Sequence, residues 1–179
     1  MVILPKVRLP EDKIMHPLFF FAGPVVGGDD WQLQAYAEVK KRMDSFYAVI
    51  PYVPSYKHEP LDTPLSGTLQ DFDRQLPWER HYLELAARPG KGCIMFWLPC
   101  ECKTLSRTDG LYARDTRGEL GEWRGRLMAN PKLNVVIGAE PDFPGISVIE
   151  RNFSLALGLS FPIHRTLEET VAAAIRKII

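Results

Sequence analysis

Two uninterrupted apolar runs constrain this chain most. Leu18-Phe19-Phe20-Phe21-Ala22 stops at Gly23-Pro24, and Cys93-Ile94-Met95-Phe96-Trp97-Leu98 stops at Pro99. A strand with one wet face alternates apolar and polar residues; a strand covered on both faces has no such need. Both runs are short, rich in aromatic or β-branched residues and closed by Gly or Pro, so they predict central strands of a parallel sheet. Shorter apolar runs at Phe46–Pro51, Leu133–Ile137 and Ile146–Ile149 predict three more strands. Helices are predicted between them. The first runs from about Trp31 to Met43, with Asp29 or Asp30 as its N-cap. A second covers Asp71–Ala87, its regular part starting near Leu76 because Pro77 belongs in a first turn. A third covers Thr116–Met128 and is stopped by Asn130-Pro131, and Leu167–Ile178 closes the chain. Met1–Pro17 reads as an irregular lead-in. Tyr52–Gln70, rich in Pro, Ser, Gly and Thr, reads as a long loop of the kind that is either functional or disordered.

Strands alternating with helices imply βαβ units, hence an α/β fold with a parallel sheet, and 179 residues fit one domain. Ligands of such sheets sit at the carboxyl ends of the strands. That rule selects Gly23–Asp30, Pro99–Glu119 and Gly138–Gly145 before any chemistry is considered. Lys and Arg number 22, as do Asp and Glu, so no overall charge draws the chain to nucleic acid or an anionic membrane. The lead-in has no apolar core of a signal peptide, and no apolar run reaches membrane-span length. Cys93, Cys100 and Cys102 are odd in number and clustered, which suits a reducing cytoplasm better than a disulfide framework. Cys100 and Cys102 lack a second Cys or His pair, and His16, His58, His81 and His164 are scattered, so no metal site or cofactor is expected.

The stretch Tyr112-Ala113-Arg114-Asp115-Thr116-Arg117-Gly118-Glu119-Leu120-Gly121-Glu122-Trp123 opens a helix after a central strand. A carboxylate in a first helical turn feels the positive end of the helix dipole and free N–H groups. On that argument the Glu119 pKa is expected to fall. An ionised carboxylate at neutral pH is what a glycosyl-transferring nucleophile needs, although acids also stand in first turns simply for stability.

Four motifs occur in one order: Phe21-Ala22-Gly23-Pro24, Trp78-Glu79, Phe96-Trp97-Leu98-Pro99, and Thr116 followed by Glu119-Leu120-Gly121-Glu122-Trp123. In that order the chain, over Phe19–Ile149, resembles nucleoside 2-deoxyribosyltransferase-like proteins. The resemblance implies a flavodoxin-like fold with a five-stranded parallel sheet between helices. It implies that Glu119 attacks the anomeric carbon of a nucleoside and carries the sugar as a covalent intermediate, with Glu122 as the rival three residues on. A second carboxylate would protonate the leaving base. Glu79 is the matching candidate, or else a surface acid paired with Arg74 or Arg80; Asp115 is the other candidate, or else an N-cap. Ala22, Gly23, Pro24, Trp97 and Thr116 are the implied substrate contacts. A residue near Ser147, or Asn152, would reach the sugar from a neighbouring subunit, so a homo-oligomer is implied.

Where several of these proteins have a Tyr in the first strand, this chain has Phe19-Phe20-Phe21. Gly27-Gly28 partly fits a phosphate-binding turn, but Asp29 and Asp30 follow and would repel phosphate. That favours neutral nucleosides with free nucleobases as partners, in purine or pyrimidine salvage, and speaks against a flavin mononucleotide carrier. Trp31, Trp78 and Trp97 are candidates to stack on a base, with Trp123 assigned to the core. The expected reaction is transfer of a 2-deoxyribosyl group between bases. The alternatives are hydrolysis by the same nucleophile and a non-catalytic nucleoside-binding module.

Overall fold

The computed structural model describes residues 1–51, 75–102, 110–158 and 161–179. Six strands form one sheet: β1 (Val2–Ile3), β2 (Leu18–Ala22), β3 (Tyr47–Val49), β4 (Gly92–Leu98), β5 (Val135–Ala139) and β6 (Ile163–His164). Their order is β1-β3-β2-β4-β5-β6, and every neighbouring pair is parallel. Helices α1 (Trp31–Lys40), α2 (Gln75–Ala86), α3 (Arg114–Ala129), α4 (Ile146–Leu157) and α5 (Leu167–Arg176) cover its two faces. Without β1, the order is the flavodoxin-like one.

The apolar runs became strands because both their faces are dry. Every residue of β2 and β4 is buried. Phe20, Ile94, Phe96 and Leu98 point to the α2, α3 and α4 side, where Trp78, Trp123 and Phe153 meet them. Phe19, Phe21, Met95 and Trp97 point to the α1 and α5 side, against Trp31 and Val171. The two-residue period of a strand therefore divides one apolar sequence between two cores.

Two expectations are corrected. The sheet has six strands, because Val2 and Ile3, inside the expected irregular lead-in, pair with Ala48 and Val49. A short apolar run ended by Pro5, Met1-Val2-Ile3-Leu4, carries no readable period. The lead-in is also fastened to α2: the Val7 carbonyl accepts from Trp78 Nε1 at 2.9 Å and from the Tyr82 hydroxyl at 3.1 Å. The second correction is Ile146–Ile149, which begins helix α4 instead of forming a strand. Ile146, Ile149, Phe153 and Leu157 recur every three or four residues, and only a window longer than four residues exposes that helical spacing. Ile163–His164 takes the strand position instead. The expected loop Tyr52–Gln70 lies outside the described residues. No helix among the described residues is long and apolar enough to cross a membrane.

At Gly138 of β5 an added Cβ would collide with Thr170 Oγ1 and stand 2.9 Å from the Trp97 ring. Thr170 is fully buried and its hydroxyl donates to the Thr166 carbonyl at 2.7 Å, so it has nowhere to retreat. Gly138→Ala should therefore destabilise the fold by roughly 1–3 kcal/mol, the usual cost of overpacking. A denaturant midpoint equal to wild type would show that α5 yields freely.

Candidate active site

The strand order reverses between β2 and β4, which places a crevice beyond their carboxyl ends. The chain is shaped around that crevice. Trp31 Nε1 donates to the Pro24 carbonyl at 2.9 Å and holds the turn after β2. Gly23 lies so close to the Trp97 carbonyl that a Cβ would overlap it. The Tyr112 hydroxyl donates to the Pro99 carbonyl at 2.9 Å, tying the approach to α3 onto the end of β4. Ala113 then adopts a left-handed conformation, φ 57° and ψ 28°, as the N-cap of α3. This conformation costs a residue with a Cβ about 1 kcal/mol or more, and such costs gather at functional sites.

These elements enclose a cavity of about 320 Å³. Phe20, Ala22, Gly23 and Pro24 supply one wall, Gln75 and Glu79 of α2 another, and Ala113, Asp115, Thr116 and Glu119 of α3 the third. Seven residues expected at the site thus meet in one cavity: Ala22, Gly23, Pro24, Glu79, Asp115, Thr116 and Glu119.

Glu119 makes no hydrogen bond or ion pair with its side chain among the described residues. Burial pushes its pKa up to about 7, and the charges of Glu79, Asp115 and Glu122 add to the rise against a smaller opposing effect of Arg80. The expected fall is therefore corrected. Glu119 is the sixth residue of α3, past the turn where the dipole acts, so desolvation and like charge win. Glu79 is also raised, by burial first, with its Gln75 hydrogen bond opposing and Asp115 reinforcing. Gln75 Nε2 donates to Glu79 Oε1 at 2.7 Å and to the Pro51 carbonyl at 3.3 Å, so it orients the acid from the end of β3. Gln75 was missed in the sequence; its four-residue spacing from Glu79 on a helix was the available signal.

The rivals fare differently. Glu122 is taken up by cations: its Oε1 accepts from Arg126 at 2.8 and 3.1 Å and faces Arg80 at 3.5 Å. Asp115 stands in the first turn of α3, 79% exposed and 3.3 Å from Arg114 Nε, and it is not the N-cap. Asp30 is the N-cap of α1 but makes no side-chain capping bond; Asp29 Oδ1 instead accepts from the Asp30 N–H at 2.8 Å. Neither lines the cavity, and among the described residues its lining carries three carboxyls against Arg114.

Other expected contacts are corrected too. Trp97 lies in the core on the opposite face of the sheet and meets the crevice only through its backbone beside Gly23. Strand parity decides this, since Phe96 and Leu98 own the α3 side. Trp31 and Trp78 are likewise buried, so none of the three indoles is free to stack on a base. Ser147 and Asn152, expected to reach a neighbouring copy and not the cavity of their own chain, lie on α4.

The raised Glu119 pKa fixes the sign of a stability effect. Its protonated form is favoured by folding, so its contribution is complete below about pH 4.5 and is lost as pH rises through about 7. Glu119→Gln removes that loss. The variant should match wild type near pH 4 and exceed it near pH 8 by roughly 1–3 kcal/mol, after allowance for partial exposure. Thermal melts at the two pH values measure this, and a variant less stable than wild type at pH 8 would contradict the burial argument.

The chain matches no model of a known protein family, and no curated protein matches it by sequence.

Proposed function

We propose that this protein is a nucleoside 2-deoxyribosyltransferase that exchanges bases through a sugar held covalently on Glu119. One observation carries the reading: an unpaired, half-buried Glu119 shares a cavity at the sheet switch point with a second carboxyl, Glu79, whose pKa is also raised. The motif order described above adds the family resemblance. The ionised Glu119 carboxylate attacks the anomeric carbon while the bond to the base breaks, and Glu79 gives its proton to the departing nitrogen. An acceptor base then attacks the same carbon from the other face, Glu119 leaves, and Glu79 recovers a proton from the acceptor. Two inversions give net retention. Three carboxyls against one Arg in the lining favour a neutral nucleoside over a nucleotide. In this reading Ser147 and Asn152 serve a neighbouring copy, and the exposed Val148 and Leu155 of the same helix belong to that assembly.

The test combines a deoxynucleoside with a different free base and follows both by chromatography. A new β-nucleoside is expected. Free sugar alone would make the protein a hydrolase, and no change would leave a binding module. A 2-fluoro-2-deoxy nucleoside with a good leaving base should trap its sugar on the peptide containing Glu119. Label on Glu122, or near-normal turnover by Glu119→Ala, would overturn the assignment. Light scattering under assay conditions should show a dimer or larger; an active monomer removes Ser147 and Asn152 from the mechanism.

The pH profile follows from the coupled acids. Activity needs Glu119 ionised and Glu79 protonated, one proton on the pair, so it should fall as pH rises through about 7 and the pair loses that proton. The Glu79 charge is one cause of the Glu119 rise, so Glu79→Gln should remove that falling limb and let activity follow Glu119 ionisation alone, at lower pH. The same variant should slow exchange of poor leaving bases by roughly 10² to 10⁴ and of activated ones far less. An unmoved limb, or equal slowing of both substrates, would remove Glu79 as the proton donor. Selective loss in Asp115→Asn would transfer the role to Asp115.

A further inference from the structure

A cavity larger than the one that holds the carboxyls lies elsewhere in the molecule. It measures about 560 Å³ and lies at the opposite, amino-terminal end of the sheet edge. It lies beside the short edge strand: Ile163 and His164 pair with Ile137 and Gly138, and Val135, Val136 and Pro162 line it just before that pairing begins. Leu127, Leu133, Leu157 and Phe161 complete an apolar wall around them. A volume of this size falls within the range of small-molecule sites, and an apolar lining gives water few partners.

Charge at the cavity is one-sided. Among the described residues no Asp or Glu lines it, whereas Arg176 and Lys177, at the end of α5, do. Both side chains are exposed, and neither forms an ion pair or side-chain hydrogen bond among the described residues. Elsewhere on the surface Arg42, Arg88 and Arg126 pair with Glu, while Arg151 is exposed and has no such pair among the described residues. His164 also lines the cavity; burial pushes its pKa down, with Glu169 opposing and Arg176 adding to the fall, so the imidazole is held toward the neutral form. The positive charge therefore belongs to Arg176 and Lys177. The apolar surface is concave, which suits a flexible hydrocarbon better than the flat face of a second copy.

We infer that this cavity binds an aliphatic monocarboxylate, its chain among Val135, Val136, Leu127 and Phe161 and its carboxylate against Arg176 and Lys177. A chain of about eight to twelve carbons suits the volume. The site is separate from Glu119 and does not depend on the proposed base exchange.

Calorimetric titration with decanoate below its micelle concentration should give one saturable site per chain. Decan-1-ol and decylamine, with the same chain and no negative charge, should bind at least tenfold more weakly. The surface double variant Arg176→Ala/Lys177→Ala should weaken decanoate binding at least tenfold. Ala156→Phe, which fills the cavity from α4, should abolish binding; circular dichroism checks that it folds, and the double variant decides the matter if it does not. Equal binding of the three probes, or an unaffected double variant, would overturn the inference. So would capture by phosphatidylglycerol vesicles without binding of free decanoate, which would make the patch a membrane contact. A concentration-dependent dimer that excludes decanoate would assign the surface to a second copy instead.

Discussion

The parallel ladder between β2 and β4 determines where every other part of this protein can stand. Five consecutive pairs, from Leu18 with Gly92 to Ala22 with Phe96, lock the two most apolar segments together. Both strands are wholly buried, so helices must cover both faces, and the period of two sends alternate side chains to separate cores. The pair also lies where the strand order reverses, so the turns after Ala22 and Leu98 diverge and leave a crevice. The site is thus a consequence of sheet topology. Its contents depend on how α2 and α3 are hung above the crevice.

That suspension is held by small, specific contacts. Tyr112 on the Pro99 carbonyl and the left-handed Ala113 set the start of α3. Farther along, Arg126 reaches both Glu122 of its own helix and Glu84 of α2, while Arg80 of α2 faces Glu122. Exposed ion pairs of this kind contribute about 1 kcal/mol or less each. Their larger effect is on charge: they neutralise Glu122, while Glu119 has no ion pair among the described residues. Two carboxyls on the same helix, three residues apart, are given opposite environments by which neighbours reach them.

Much of this architecture was legible in the sequence, and the failures have physical causes. β2 and β4 were readable because long apolar runs need no partner to be recognised. β1 was not, because two residues hold no period, and α4 was misread because four residues fit strand and helix equally. At the site, residue types were legible: Glu79, Asp115, Thr116 and Glu119 do meet around one cavity. Their electrostatics were not. The dipole argument for Glu119 used only its distance along the chain from the helix start. Its pKa is governed by burial and by Glu79, which arrives from a different helix. Trp97 was misassigned for a similar reason: alternation is visible in sequence, but which parity faces the crevice is fixed only by packing.

In the proposed reaction the raised Glu119 pKa has a further meaning. It reflects how poorly the cavity solvates a carboxylate beside other acids. A neutral nucleoside relieves little of that cost on binding. The transition state relieves much more, because the sugar ring becomes cationic directly opposite the carboxylate as the base departs. Attraction in a partly desolvated site is strong, and it is realised when positive charge develops rather than when substrate first binds. An acid kept uncomfortable in the ground state thereby lowers the barrier by differential binding. Full neutralisation by an arginine, as at Glu122, would make the site more stable and would remove that difference. The absence of such a partner at Glu119 is therefore coupled to the chemistry, and its stability cost above neutral pH is the counterpart of the reactivity proposed for it.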